Sequence, residues 1–205
     1  MDLSREKSHL DNELREAGYT LIAGVDEAGR GPLAGPVFAA AVILSPGNGL
    51  PQALDSKKIS PTRREKLCRQ IQEEALAWQV ARIEHSVIDE INILRATLKA
   101  MVEAVKNLSR TPEMILVDGA QTPFVNSHSK AIRKGDSISQ SIGAASILAK
   151  VHRDRVMAAY HEEYPLYGFD RHKGYGTQEH MEAIALLGPS PIHRRSFAGV
   201  KEHCK

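Results

Sequence analysis

The sequence predicts an α/β domain on a mixed sheet flanked by helices, with a small helical segment at its C-terminal end. Three observations predict it. Apolar runs of strand length dominate the early part of the chain. Helical and strand patterns then alternate. The 205 residues, 42% hydrophobic and 25% charged, are enough for one packed core and argue against disorder.

Residues 20–26 read as a strand that runs into a Gly-rich turn, Ala28 to Gly31. Residues 36–44 read as a buried second strand, stopped by Ser45-Pro46-Gly47-Asn48-Gly49. Ser60-Pro61 is a helix start, with Ser as N-cap and Pro at the first helical position. Leu67, Ile71, Ala75 and Trp78 share one face at helical spacing, and Trp78 to Glu84 also alternates as a strand does. Ser86 and Asp89 resemble a capping box, opening one long helix with Ile91, Leu94, Leu98, Met101, Val102 and Val105 as its apolar stripe. Met114 to Val117 is a short apolar strand ending at Asp118-Gly119, and Lys130 to Arg133 is a further strand candidate before Lys134-Gly135-Asp136. Ser139 to Tyr160 and Thr177 to Leu187 read as helices, the second stopped by Gly188-Pro189.

Met1 to Glu13 is polar and mixed in charge, unlike a signal peptide. The longest apolar stretch, Pro36 to Leu44, is too short to span a bilayer. A cytoplasmic, monomeric protein is the expectation. Cys68 and Cys204 form no C-x-x-C, which argues against a disulfide framework or a cysteine zinc site. The net charge is +2, but basic residues cluster. Lys57, Lys58, Arg63, Arg64, Lys66 and Arg69 form one group, and Arg171, Lys173, Arg194, Arg195, Lys201 and Lys205 enrich the C-terminal end. Such clusters suit a polyanion and equally suit a solvated helix face with a charged tail.

Three acidic sites follow apolar strand candidates: Asp26-Glu27, Asp118 and Asp136. Carboxylates at the rim of a core are costly unless paired, and gathered together they raise one another's pKa. A hard divalent cation resolves that conflict, because Mg²⁺ takes oxygen ligands and completes its shell with waters and substrate phosphates. Two such ions support in-line attack on a phosphodiester. No H-E-x-x-H, Walker A loop or G-x-S-x-G offers another centre. The competing reading is that these Asp and Gly residues are ordinary turn formers.

Gly24 to Val37, reading Gly-Val-Asp-Glu-Ala-Gly-Arg-Gly-Pro-Leu-Ala-Gly-Pro-Val, closely resembles the N-terminal signature of the ribonuclease HII family. Asp55-Ser56-Lys57-Lys58, Val117-Asp118-Gly119, Lys134-Gly135-Asp136-Ser137, Ala144 to Val151, Arg153-Asp154, His172-Lys173-Gly174-Tyr175 and His193 to Phe197 continue the resemblance in order, over about Leu21 to Lys201. The resemblance implies a ribonuclease H-like fold. It implies Asp26, Glu27, Asp118 and Asp136 as catalytic ligands of Mg²⁺ or Mn²⁺, the same acids that the strand-end pattern selects. Asp26 and Glu27 are adjacent and would face opposite sides of a regular strand, so a shared site requires a bend. The implied substrates are RNA–DNA hybrids and DNA with embedded ribonucleotides, cut 5′ of the ribonucleotide.

The resemblance also implies that Gly29-Arg30-Gly31 contacts the ribonucleotide and that Tyr175 packs on its sugar and senses the 2′-hydroxyl. Arg30, Lys57, Lys173 and Arg194 are then candidates for phosphates. A Tyr between glycines is otherwise a loop anchor, and Lys57 is otherwise solvated. Lys150 and Arg153 are read as favouring a helix dipole, outside the catalytic set, and Ser146 as a small packing residue. We divide the chain into a catalytic domain, 1–164, with a polar extension at 1–18, and a helical substrate-binding segment, 165–205. Ribonuclease HIII, which lacks the G-R-G triplet, and Holliday junction resolvases are the rival enzymes. A nucleic-acid-binding module without catalysis is the rival of another class.

Overall fold

The computed structural model describes residues 9–46, 59–125 and 128–204. Lys57 and the rest of the Asp55–Lys58 motif lie outside the described residues. Five strands form one sheet: β1 (Ile22–Ala28), β2 (Val37–Ile43), β3 (Ala77–Ile83), β4 (Met114–Asp118) and β5 (Ser129–Ile132). Their order is β3-β2-β1-β4-β5. β1 pairs antiparallel with β2 and parallel with β4, β2 pairs antiparallel with β3, and β4 pairs parallel with β5. The helices are α1 (His9–Glu16), α2 (Pro61–Glu74), α3 (His85–Ile91), α4 (Ile93–Lys106), α5 (Gln140–Glu163), α6 (Phe169–His172) and α7 (Gln178–Leu187). No helix among the described residues is long and apolar enough to cross a membrane.

β2 is buried along its whole length because helices cover both sheet faces, which is why it reads as an unbroken apolar run. On one face, Ala40 and Val42 pack with Leu67, Cys68 and Ile71 of α2 and with Ala144, Ala145, Ile147, Leu148 and Val151 of α5. On the other, Val25, Ala39, Ala41 and Val117 pack with Ile88 of α3 and with Ala96, Ala100, Met101 and Ala104 of α4. Gly24 sets how closely α5 approaches. A Cβ there would lie 2.0 Å from the Ser141 carbonyl carbon and 2.2 Å from the Ile142 nitrogen. Only a residue without a side chain lets the first turn of α5 rest on β1 at that point.

Several local expectations change. The single long helix is two, because Asn92 adopts a left-handed φ of 68° and its Oδ1 accepts from Arg95 N–H at 3.1 Å, starting α4 afresh. Asp89 makes no capping box. Its carboxylate instead accepts from Arg195 N–H and Ser196 N–H, both at 2.9 Å, tying α3 to the C-terminal segment. α2 stops at Glu74, so Trp78 belongs to β3, where its indole N–H donates to the Gln72 carbonyl at 3.1 Å. Part of the polar N-terminal extension is helical. Leu14 of α1 is buried, and fully buried Asp11 accepts from Ser139 Oγ at 2.6 Å and from Ser141 N–H at 2.9 Å.

The C-terminal segment grips the connection between β1 and β2. Leu33 N–H donates to the Gly174 carbonyl at 2.8 Å, Gly35 N–H to Ile192 at 2.9 Å, and Arg194 N–H to Leu33 at 2.8 Å.

Candidate active site

The β1–β4 ladder ends at Val25↔Val117, so the last residues of both strands stand at the sheet's exposed end. Asp26 shares the face of Gly24, against α5, and Glu27 shares the face of Val25, against α4. β1 does not bend to bring them together. Its ladder with β2 continues through Asp26↔Ala40, Glu27↔Ala39 and Ala28↔Phe38. The two acids share a site because it wraps the open edge of the strand. Asp26, Glu27 and Asp118 line one cavity, and Glu27 and Asp118 also border a second cavity beside Leu94, Thr97 and Leu98 of α4.

The first cavity is about 230 Å³ and is completed by Gly29, Arg30, Gly31, Ser146, Lys150, Arg153 and Tyr175. Small-molecule pockets run to roughly 300–1,000 Å³, so this notch suits a local portion of a larger ligand. Seven of the residues selected from sequence meet here: Asp26, Glu27, Gly29, Arg30, Gly31, Asp118 and Tyr175. Asp136 does not line the cavity. It sits on the 3-10 turn Gly135–Ser137, joined to the site through Gly135 N–H, which donates to Asp118 Oδ1 at 2.7 Å. Lys173 Nζ donates to the Asp170 carbonyl at 2.6 Å, also outside the cavity.

Burial first, then the charges of Glu27 and Asp118, push the Asp26 carboxyl well above the usual carboxylate range. A Ser146 side-chain bond and the Glu27 N–H, 2.7 Å from Asp26 Oδ1, act in the opposite direction. This oxygen-rich, mutually repelling set fits a hard divalent cation, whose charge would reverse the repulsion. Among the described residues, no three His, Cys, Asp or Glu side chains are gathered into a metal shell on their own.

Two buried arginines hold the connection between β1 and β2. Arg194 Nε donates to the Gly35 carbonyl at 3.0 Å, Nη1 to Arg30 at 3.0 Å and Nη2 to Gly29 at 2.6 Å. Arg153 donates to Pro36 and Ala34 at 3.2 Å and to the Lys173 carbonyl at 3.0 Å. Burial lowers their pKa values to about 9 for Arg194 and about 10 for Arg153, which leaves both charged at neutral pH. Arg194 is therefore a buried brace and not a phosphate contact. In a trans peptide the N–H points opposite the preceding carbonyl. Engaging the carbonyls of Gly29 and Arg30 thus turns the N–H groups of Arg30 and Gly31 away from Arg194. Gly29 has a φ of 96°, and a Cβ on it would lie 2.1 Å from Arg153 Nε.

Ser146, Lys150 and Arg153 line the cavity although the sequence reading leaves them outside the site. Their signal is the i, i+4, i+7 spacing that puts all three polar side chains on one face of a helix whose N-terminal half is buried. Lys150 Nζ pairs with Asp154 Oδ1 at 2.7 Å.

A family model for ribonuclease HII matches residues 23–200. The chain belongs to the ribonuclease HII family. It is 57% identical to a ribonuclease HII of Syntrophus aciditrophicus over 92% of this chain and 89% of that one. It is 59% identical to one of Geobacter sulfurreducens over 94% of this chain and 90% of the other. Among solved structures it resembles the ribonuclease H2 of Pyrococcus horikoshii, with a TM-score of 0.73 and 28% identity over 88% of this chain and 95% of that chain. A Bst-RNase HIII solved with Mn²⁺ shares the fold, with a TM-score of 0.71 at 17% identity over 92% of this chain and 70% of that chain. The enzymes of the family are metal-dependent endonucleases, and this chain cleaves the RNA of RNA–DNA hybrids and at embedded ribonucleotides.

The C-terminal histidines predict a pH dependence of folding. Burial, together with nearby His rings, lowers His180 to about 4 and His193 to about 3, against an ordinary value of 6.5. Between those values the unfolded chain binds protons that the folded rings refuse, so stability falls as pH drops below 6.5 and goes on falling to about 3. One such ring costs about 2 kcal/mol at pH 5. The melting temperature should therefore drop between pH 7 and pH 5 in metal-free buffer. A flat profile would show that these rings titrate normally.

Proposed function

We propose that this chain incises the ribonucleotide strand on the 5′ side of the ribonucleotide, by divalent-cation-dependent hydrolysis that leaves 3′-hydroxyl and 5′-phosphate ends. The observation that carries this reading is the single notch shared by Asp26, Glu27 and Asp118, the Gly29-Arg30-Gly31 loop and Tyr175. Acids suited to phosphodiester chemistry and groups suited to reading a ribose face the same few ångströms of substrate.

Asp26, Glu27, Asp118 and Asp136 would hold the Mg²⁺ or Mn²⁺. When bound, such ions activate water and stabilise the leaving oxygen of an in-line displacement. The outward-turned N–H groups of Arg30 and Gly31 supply donors for the ribonucleotide, and the 2′-hydroxyl can both donate and accept. The Tyr175 ring is half exposed, and a Cβ at Gly31 would lie 3.5 Å from its Cε1, so the ring and the loop form two walls of one slot. Arg30, whose Nη1 is 3.4 Å from Glu27 Oε1, would exchange that contact for a phosphate, with Lys57 and Lys173 holding phosphates further along. The segment 165–205, which carries Lys173 and Tyr175, then serves as the substrate-binding part beside the catalytic domain 1–164. We expect a cytoplasmic monomer.

Mapping product ends on a duplex with one ribonucleotide, in Mg²⁺ and in Mn²⁺, tests the proposal. A cut on the 3′ side, or a 5′-hydroxyl product, would overturn it. Tight hybrid binding in EDTA without cleavage once Mg²⁺ is added would favour the non-catalytic reading. Hybrid affinity should also fall steeply with salt as Lys and Arg contacts release counterions. Lys57→Ala or Lys173→Ala should each flatten the plot of log K against log salt by about one unit. Unchanged slopes for both would leave these lysines as solvated side chains.

A further inference from the structure

Beneath the Tyr175 turn lies a row of three buried histidines that the chemistry above does not use. His172, His180 and His193 are 9%, 0% and 1% exposed. The rings of His172 and His180 stack with centroids 4.5 Å apart, and those of His180 and His193 are 5.1 Å apart.

Their hydrogen bonds fix where each proton sits. A backbone carbonyl only accepts and a backbone N–H only donates. The Tyr175 carbonyl is 2.9 Å from His180 Nδ1, so that nitrogen carries a proton. Ser190 N–H donates to His193 Nδ1 at 2.9 Å, so that nitrogen is bare, and Ser190 Oγ donates to it as well at 2.7 Å. An imidazole bare at one nitrogen keeps its proton on the other. His193 Nε2 is then the donor to His180 Nε2, 2.9 Å away. His172 is fixed in the same manner, with Nε2 donating to the Tyr167 carbonyl at 2.7 Å and Nδ1 accepting from Gly174 N–H at 3.2 Å. Donors run in one direction from Ser190 through His193 and His180 to the Tyr175 carbonyl.

We propose that His180, oriented by His193, is a positioning residue for ribose recognition, fixing the Tyr175 peptide so that the ring stands against the Gly29-Arg30-Gly31 loop. The inference rests on the reading of Tyr175 as the group that meets the sugar. The turn needs such a tie. Lys173 and Gly174 both have left-handed φ values, 51° and 84°, so the chain reverses just before Tyr175. Two backbone bonds, Tyr175 N–H to the His172 carbonyl at 2.9 Å and Thr177 N–H to the Tyr175 carbonyl at 2.8 Å, close the turn on itself. The His180 bond anchors it to α7, and the His193 bond carries that anchor to the chain beside Ala34, which pairs with His193 in an isolated bridge. One relay thus joins the tyrosine to the segment that continues from the glycine loop.

Two isosteric substitutions separate positioning from packing. An Asn amide nitrogen falls near the place of histidine Nδ1, and a Gln amide falls near Nε2. His180→Asn keeps a donor for the Tyr175 carbonyl and gives up His193, and His180→Gln does the reverse. On a duplex with a single ribonucleotide, His180→Gln should lower kcat/KM about tenfold, and His180→Asn should stay within about threefold of the parent. In a Tyr175→Ala background, His180→Gln should cost nothing further, since residues acting through one contact are non-additive. His193→Asn keeps the acceptor for Ser190 and drops the donor to His180. It should give a smaller loss with the same non-additivity, and it serves if His180→Gln fails to fold. Equal losses for the two His180 variants that track their melting temperatures, or full additivity with Tyr175→Ala, would overturn the inference. An impaired Tyr175→Ala enzyme alongside a parent-like His180→Gln enzyme also overturns it and leaves the reading of Tyr175 standing. A parent-like Tyr175→Ala enzyme overturns both.

Discussion

Asp118→Asn is expected to cut turnover by roughly 10²-fold or more while the fold survives, by analogy with the loss of one transition-state-stabilising group. The structure explains why this substitution isolates charge. Asp118 Oδ1 accepts from Gly135 N–H at 2.7 Å, and the Asn oxygen keeps that bond and with it the turn that carries Asp136. What is lost is a ligand charge. Asp26→Asn, Glu27→Gln and Asp136→Asn should fall by a similar factor. Asp26→Asn should in addition raise the melting temperature of the metal-free protein. Its carboxyl is held above the normal range, so the ionised form is a burden on the folded state at neutral pH. The burden is present above the folded pKa and vanishes as pH falls through it, so the gain on substitution should shrink in acid. Turnover, divalent-ion affinity by calorimetry and melting curves at two pH values check all of this. A fully active Asp118→Asn enzyme would remove the acid set from the chemistry.

The placement of Asp26, Glu27 and Asp118 was legible in the sequence because a strand buried on both faces reads as an unbroken apolar run whose end is visible. An apolar run that stops on Asp26-Glu27 or Asp118 marks the rim of a sheet, and the sheet order then places β1 beside β4 so that these rims coincide. The way Asp26 and Glu27 share a site was not legible. Sequence suggested a bend, whereas β1 stays paired with β2 through Ala28 and the cavity wraps its other edge, a consequence of the β1–β4 ladder ending at Val117. Asn92 was hidden for a different reason. An apolar stripe keeps its helical spacing across a one-residue break, so the pattern alone cannot separate α3 from α4.

Long-range partners were the least legible. Arg153 and Arg194 look like surface cations in a list of residues, since charged side chains are rarely fully buried. Here each is buried because backbone carbonyls of the β1–β2 connection satisfy its guanidinium. Asp11 is buried for the same kind of reason, through donors 128 and 130 residues away in sequence. No local pattern encodes a partner at that separation.

Tyr175→Ala is expected to remove most cleavage at a single-ribonucleotide junction, by roughly 10²-fold. A stacking surface is worth about 1–3 kcal/mol and a neutral hydrogen bond about 0.5–1.5 kcal/mol, and the substitution removes both. Tyr175→Phe loses only the hydroxyl and should fall between the parent and the Ala variant. Folding is a poor alternative explanation for such a loss. Tyr175 is 45% exposed, and its ring stands beside Gly31 with the Arg153 guanidinium 6.0 Å from its centroid. Arg153 keeps its three carbonyl acceptors when the ring is gone. The acids are untouched, so metal affinity should be the same in all three proteins, and kcat/KM measured beside calorimetric metal binding separates ribose recognition from metal-site damage. If Tyr175→Ala cleaves the junction as the parent does, Tyr175 is an anchor for its own turn, and ribose recognition falls to the backbone of Gly29, Arg30 and Gly31 alone.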